Sequence, residues 1–187
     1  SLGDRGDLTV HVQPEVFHRD LSAGLNELAR LVKRDKLRII EGVDIAHLSG
    51  RETVGSLVQF IDGRPFKSGY RRFRIRTAQP GDDYAAIAEL VSRHFRRIKD
   101  GGLTPPDLLM IDGGPGQLRS ALETMAALEV TGVSVLGLAK RAEEIYLPGR
   151  DEPLRLPRRN EALKILQYVR DEAHRFAQHY HHILRRK

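Results

Sequence analysis

The sequence contains no cysteine and no apolar run that approaches the ~20 residues of a membrane-spanning helix. The first absence excludes disulfides and thiolate metal sites, and it favours a cytoplasmic protein. A metal ion bound by this chain would therefore have oxygen or imidazole ligands, and carboxylate-rich sites favour Mg²⁺ or Mn²⁺. A signal-peptide pattern is also missing.

Motifs of covalent hydrolysis are missing as well. The sequence has no G-x-S-x-G, no Walker A and no H-E-x-x-H pattern. Because there is also no thiol nucleophile, hydrolysis by a metal-activated water is the most economical chemistry for a polar site in this chain.

The positive charge of the chain is unevenly placed. Among its 187 residues, 40% are hydrophobic and 30% are charged, which is a globular composition with enough length for one well-buried domain. Residues 155–187 hold nine Lys and Arg against three Asp and Glu, and so account for the whole net charge of +6. Residues 70–76, YRRFRIR, form a second basic cluster. Such clusters indicate a polyanionic partner, although each could equally be a solvated surface.

Hydrophobic periodicity predicts an α/β fold. After an irregular start, residues 21–34 have helical spacing, and three strand-like runs with an Asp62-Gly63 turn signal predict an antiparallel meander. Alternating helices and strands follow, then a hairpin around Gly149 and a long helix over 161–184. This order predicts a mixed sheet with helices on both faces. A ribonuclease-H-like architecture has this order and, on the pattern alone, is one of several candidates. We divide the chain into a linker and helix, 1–37, and a ribonuclease-H-like domain, 38–187.

Asp112 ends an apolar strand and is followed by two glycines. Ligands of open α/β sheets bind outside the carboxyl ends of strands, and bare backbone lets a polyanion approach closely. The alternative is a turn aspartate that caps the next helix. Asp44 has no such alternative, because it lies within a strand where a charge is costly unless it is paired or metal-bound.

His174 is the third candidate. It lies on the long helix at the border of the apolar stripe, and Asp171 is one turn before it, within side-chain reach. Alone it would be an ordinary edge histidine. Together with Asp44 and Asp112 it would complete a hard metal site for Mg²⁺ or Mn²⁺ against phosphate oxygens.

Six segments, in order, resemble the C-terminal nuclease half of the UvrC family. They are IEGVDIAH, YRRFRIRT, PGDDYAAI, LLMIDGGPGQL, GLAKRAEEIYLPG and LQYVRDEAHRFAQHYHHILR, and the resemblance runs over 38–185. It implies a ribonuclease-H-like fold with Asp44, Asp112 and His174 as catalytic metal ligands. Asp83 matches an acidic position linked to incision, and a helix-capping role for it is equally open.

The resemblance implies a metal-dependent endonuclease that makes the 5′-side cut in damaged double-stranded DNA during bacterial nucleotide excision repair, with UvrB as partner of the full-length protein. The GIY-YIG nuclease, the UvrB-contacting segment and the helix-hairpin-helix pair of the family are not in this sequence. The family's usual lysine after IDGG is Pro115 here, and Gly42, Val43 and Ala46 also depart from the family pattern. The candidate DNA contacts are Lys140, Arg141, Arg158, Arg170, Arg71 and Arg72.

Two other functions stay open. A nucleic-acid-binding module without catalysis would use the same basic surface and tolerate Asp44→Asn. A different ribonuclease-H-like nuclease would act on RNA–DNA hybrids or transposon ends. Comparing cleavage of damaged DNA, plain DNA and hybrids separates these alternatives.

Overall fold

The computed structural model describes residues 14–48 and 52–185. Two 3₁₀ turns, Lys67–Gly69 and Arg141–Glu143, accompany the main elements. The helices are α1 Pro14–Leu31, α2 Asp83–Lys99, α3 Pro115–Ala127 and α4 Glu161–Arg185, and the strands are β1 Ile39–His47, β2 Thr53–Ile61, β3 Arg64–Pro65, β4 Arg71–Ile75, β5 Leu108–Asp112, β6 Ser134–Ala139 and β7 Glu144–Tyr146.

The seven strands form one mixed sheet in the order β3–β2–β1–β5–β6–β7, and β4 pairs with β2 on the same side as β3. β1 and β2 are antiparallel, whereas β1, β5 and β6 are parallel, and β7 returns antiparallel to β6. An antiparallel meander is thus followed by alternating helices and strands. The predicted ribonuclease-H-like fold class is confirmed.

Helices cover both faces of the sheet. Strand side chains alternate between the faces, so Ile40 and Met110 belong to the core beneath α1 and α4. Val43 and Ile111 belong to the core beneath α2 and α3. The sheet is therefore the middle of three layers, and its two apolar cores are separate.

Gly42 lets α4 pack directly on β1. A Cβ atom at this position would lie 2.5 Å from Cγ1 of Val169, far closer than carbon atoms approach in a packed core. The departure from the family pattern at Gly42 therefore has a packing reason. The close contact places the following turns of α4 above the end of β1.

Two local signals read from the sequence have the expected structure. Asp62 and Gly63 have positive φ values of 54° and 83°, as a two-residue hairpin turn requires. Asp82 caps α2, because its side chain accepts a hydrogen bond from the backbone N–H of Ala85 at 3.0 Å. These signals fix the ends of β2 and α2.

The first helix differs from its predicted range of 21–34. It begins at Pro14, a residue suited to the first turn of a helix, and it ends at Leu31. Lys33 adopts a left-handed φ of 58°, which stops the helix earlier than the apolar spacing indicates. The predicted irregular stretch before Pro14 lies outside the described residues. α1 is part of the core shared with α4, to which it contributes Leu28.

The C-terminal half closes the sheet as predicted. The hairpin after β7 has a single bridge, between Ile145 and Leu154. α4 then begins after Asn160, whose side-chain oxygen accepts from the N–H of Leu163 at 3.0 Å. No helix within residues 14–48 and 52–185 combines the length and apolar character needed to cross a bilayer.

Candidate active site

The sheet brings Asp44 and Asp112 side by side. Val43 of β1 is the register partner of Ile111 of β5, and the two aspartates occupy the next position of each parallel strand. Strand alternation turns both carboxylates to the face that α4 covers. Asp44 is 8% exposed, and Asp112 is half-buried. The predicted adjacency of two residues 68 positions apart is thus present in the fold.

Nearby positive charge only partly offsets the cost of burying the two carboxylates. Burial and the charge of Asp112 raise the pKa of Asp44 to about 6, although His174 and Lys140 act in the opposite direction. Burial also raises the pKa of Asp112, against the lowering effects of Lys140, Arg170 and His174. Two adjacent, partly desolvated carboxylates are hard oxygen donors that suit a divalent cation.

His174 faces Asp44 with its Nδ1 atom, 3.5 Å from Oδ2 of the carboxylate. The side-chain amide of Gln178 donates to the other ring nitrogen, Nε2, at 3.0 Å. A neutral imidazole that accepts at Nε2 carries its proton on Nδ1, so His174 presents an N–H to Asp44. Asp171, which the helical spacing also places within reach of the ring, lies 3.6 Å from Nε of Arg170, and Gln178 takes the position on Nε2.

Asp44, Asp112 and His174 lie together in the fold, and their shared role as ligands of one metal ion stays a prediction. As placed, no three His, Asp or Glu side chains of the described residues already form a group that could hold one metal ion. The site consists instead of two adjacent carboxylates, with His174 hydrogen-bonding towards one of them. These two carboxylates fit a cation, whereas His174 is arranged as a partner of Asp44.

Lys140 and Arg170 bring positive charge to the site. Lys140 is exposed and lines a pocket of about 330 Å³ together with Asp44, His47 and His174. Nη1 of Arg170 is 2.6 Å from a carboxylate oxygen of Glu143, and the guanidinium also acts on Asp112.

Arg141 and Arg158 are the other two DNA contacts predicted in the C-terminal half of the chain. Both side chains are exposed, and neither is among the described residues that line this pocket. Of the four basic residues predicted in this half of the chain, Lys140 and Arg170 therefore act on the carboxylate pair.

Asp83 reaches the same pocket through a histidine. Its carboxylate contacts Nε2 of His47, whose Nδ1 is 3.1 Å from the hydroxyl of Thr53. The capping alternative for Asp83 is wrong, because Asp82 is the cap of α2. His47 was not among the predicted site residues, although it closes the quoted IEGVDIAH segment. Its position three residues after Asp44, at the end of β1, was the available signal.

Arg71 points into the fold. Its Nη1 donates to Nδ1 of His94 at 2.7 Å, and its guanidinium lies 4.5 Å from the centre of the Phe73 ring. Because a guanidinium only donates, His94 carries its proton on Nε2, which donates to the buried Glu41 at 2.8 Å. The structure thus gives Arg71 a role inside the protein, and its predicted DNA contact stays a prediction.

The neighbouring Arg72 takes the opposite direction. It belongs to the face that α4 covers, and its guanidinium lies 3.8 Å from the centre of the Phe176 ring and 4.9 Å from that of Tyr180. Strand alternation separates Arg71 and Arg72 in this way, so one basic cluster of the sequence serves two different parts of the fold.

The family model described as "UvrC RNAse H endonuclease domain" matches residues 29–178. Curated relatives named "UvrABC system protein C" include those of Dehalococcoides mccartyi, 50% identical over 153 residues, and Methanospirillum hungatei, 46% identical over 164 residues. These alignments cover 79% and 87% of this chain but 25% and 31% of the relatives. The chain therefore spans a quarter to a third of the length of the curated relatives that it matches.

Similarities to solved structures are weaker. The Ciona intestinalis Endonuclease V complex with a 24mer DNA has a TM-score of 0.41 and 15% identity, over 62% of this chain and 54% of that chain. Thermus thermophilus RuvC has a TM-score of 0.31 and 13% identity, over 72% of this chain and 97% of that chain.

Proposed function

Because the chain belongs to the UvrC ribonuclease H endonuclease domain family, we propose that it is the catalytic domain of an endonuclease that hydrolyses a phosphodiester bond of damaged DNA. The observation that supports this most is the pair of Asp44 and Asp112 at the end of two parallel strands. Burying two neighbouring carboxylates is costly for a fold. A binding surface for nucleic acid would have no use for negative charge at its centre.

Asp44 and Asp112 would hold Mg²⁺ or Mn²⁺. When bound, such a cation would polarise the scissile phosphate and lower the pKa of an attacking water. The raised pKa of Asp44 supports this assignment, since a cation would add the positive charge that Lys140 and His174 supply only in part. The donor chemistry suits both ions equally, because both prefer carboxylate oxygen.

The surrounding residues have separate tasks in this proposal. His174 donates its Nδ1–H towards Asp44 and so fixes the orientation of that carboxylate. Lys140, exposed in the same pocket, binds a non-bridging oxygen of the scissile phosphate and offsets its charge. Arg170 lies near Asp112 and limits the repulsion between the two carboxylates, while Glu143 holds its guanidinium in place. Asp83 fixes the ring of His47 in the pocket wall.

For the longer protein we propose the 5′-side incision of bacterial nucleotide excision repair, with UvrB as partner. The names of the relatives and the resemblance to the UvrC nuclease half support this assignment. The substrate is the chromosome, so we expect the protein in the cytoplasm. The isolated chain would supply the chemistry of the cut, and lesion targeting belongs to other parts of the family's proteins.

Nicking of supercoiled plasmid tests the proposal. Damaged plasmid, undamaged plasmid and an RNA–DNA hybrid are incubated with the chain in Mg²⁺ or Mn²⁺, alone and joined to the remaining UvrC segments with UvrB present. We expect a cut on the 5′ side of the lesion that Asp44→Asn and Asp112→Asn abolish while DNA binding is kept. Asp171→Asn is the matched control, because this side chain is 72% exposed on the neighbouring helix.

Three results would contradict the proposal. Cutting by Asp44→Asn at the wild-type rate would remove the carboxylate pair from the chemistry. Preferred cutting of the hybrid would favour a nuclease with a different substrate. A chain that binds DNA equally well with or without both carboxylates, and never cuts, would be a binding module.

A further inference from the structure

A second polar pocket lies on the other side of α4 from the candidate active site. It has a volume of about 390 Å³, and its walls come from the Lys67–Gly69 turn, β4 and α4. We name it the Arg72 pocket. It is lined by Lys67, Tyr70, Arg72, Arg175, Phe176 and His179.

Arg72 is held in place by aromatic rings instead of by a carboxylate. Its guanidinium stacks on Phe176 and Tyr180, and its Nη2 donates to the carbonyl of Phe176 at 3.3 Å. Its Nε atom is buried and has no hydrogen-bond partner. Within the part of the chain that the structure describes, no salt bridge is formed by Arg72. A fixed cation with unused donors is already arranged to bind an anion.

The neighbouring Arg175 is already paired. Its Nε donates to Oε2 of Glu172 at 2.9 Å, and Oε1 of the same carboxylate accepts from the hydroxyl of Tyr70 at 2.9 Å. Glu172 is thus occupied by Arg175 and Tyr70, and the charges of Lys67 and Arg72 are left in excess. Burial lowers the pKa of Arg72, as expected for a cation without a counter-ion.

The sheet fixes the distance from this pocket to the candidate active site. Arg72 of β4 is the register partner of Ser56 of β2, which is in turn the partner of Asp44 of β1. With neighbouring strands about 4.8 Å apart, Arg72 and Asp44 are about 10 Å apart along the sheet. Successive nucleotides of one strand rise about 3.4 Å along a duplex and also rotate around its axis, so this distance places the pocket within a few nucleotides of a phosphate held at Asp44.

We propose that the Arg72 pocket binds one backbone phosphate of the nucleic acid, within a few nucleotides of the bond that is cut. The inference rests on the proposed nuclease function, because that function places the scissile phosphate at Asp44. The pocket offers guanidinium and ammonium groups and no base-reading surface, so its contact positions the strand without reading sequence.

Binding of a 24-base-pair duplex, measured by fluorescence anisotropy from 50 to 300 mM salt in an Asp44→Asn background, tests the pocket. Arg72→Gln should weaken binding roughly 10-fold and flatten the slope of log affinity against log salt by about 0.9, the value of one phosphate contact. Arg72→Lys keeps the charge and should retain most of the slope. Arg96→Gln, on α2 in the opposite helical layer, is the matched control and should leave the slope unchanged.

A scan of single neutral methylphosphonates along the strand locates the contact. One substitution, within a few nucleotides of the cut, should weaken wild-type binding but have no further effect on Arg72→Gln. Equal slopes for wild type and for both Arg72 variants would overturn the inference. So would an Arg72 Nε–H NMR signal that shifts with inorganic phosphate but not with the duplex, because the pocket would then bind only a free anion.

The nuclease proposal is tested separately by cleavage. Arg72-dependent binding by a chain that never cuts would support the pocket and refute the nuclease. Cutting that is unaffected by Arg72→Gln, together with an unchanged salt slope, would refute the pocket and leave the nuclease standing.

Discussion

Replacing Asp44 by asparagine should stabilise the protein in the absence of divalent cations. Burial and Asp112 raise the pKa of Asp44 from 3.8 to about 6, a difference of about two units. Each unit corresponds to about 1.4 kcal/mol, so ionising Asp44 in the folded state costs about 3 kcal/mol of unfolding free energy. Asparagine has nearly the same shape as aspartate but does not ionise, so Asp44→Asn removes this cost.

The pH dependence gives the sign of the effect. Below the unfolded pKa of 3.8 the carboxyl is protonated in both states, so it contributes nothing to the pH dependence of stability. As the pH rises from there to about 6, the unfolded chain ionises while the folded protein keeps its proton, and wild-type stability falls. Asp44→Asn should therefore exceed wild type by about 1 kcal/mol at pH 4.5 and by about 3 kcal/mol at pH 7.5.

Urea unfolding in EDTA, followed by circular dichroism at both pH values, measures this difference. Asp171→Asn is the control, because it removes an exposed carboxylate from the neighbouring helix and should change stability equally at both values. The comparison between pH values cancels any effect of the substitution that does not depend on pH. A gap between Asp44→Asn and wild type that stays constant or shrinks from pH 4.5 to 7.5 would refute the argument.

Three further predictions concern the neighbourhood of the site. Gly42→Ala should lower the unfolding free energy by about 1–3 kcal/mol in urea unfolding and reduce cutting, because the added Cβ forces α4 away from β1. Unchanged stability would contradict this packing. His174→Ala should weaken Mn²⁺ binding in calorimetry without unfolding the protein, whereas His174→Asn keeps an N–H donor and should preserve part of the Mn²⁺ affinity. Equal affinities for wild type and both variants would exclude the orienting role of His174. His94→Ala should lower the unfolding free energy by about 2–3 kcal/mol, because it leaves the buried Glu41 with Gln59 as its remaining hydrogen-bond donor, and His94→Gln should cost less. A neutral effect of His94→Ala would show that the network carries no stability.

The central geometry could be predicted from the sequence because strands constrain it strongly. Asp44 lies within an apolar strand and Asp112 ends another, and the parallel pairing of neighbouring strands brings such positions to one edge. The hairpin turn and the cap at Asp82 are local signals that involve only residues close in sequence. For these features, local chemistry and the tertiary fold give the same answer.

Other features depend on contacts that the sequence does not specify. Helical spacing places both Asp171 and Gln178 within reach of His174, and only the packing of α4 against β1 selects Gln178. Arg71 and Arg72 lie on opposite faces, but the sequence does not say which face is covered by α2 and which by α4. The His47 contact to Asp83 joins two elements 36 residues apart, so no spacing rule could have found it.

Anomalous diffraction from crystals soaked in Mn²⁺, with and without Asp112→Asn, tests the carboxylate pair most directly. We predict one peak between the carboxylates of Asp44 and Asp112, with oxygen ligands about 2.0–2.3 Å away, and its loss in the variant. His174 should remain hydrogen-bonded to Asp44. A strong peak at another site, or a peak at this site that Asp112→Asn leaves unchanged, would contradict the assignment of these two aspartates as the cation-binding centre.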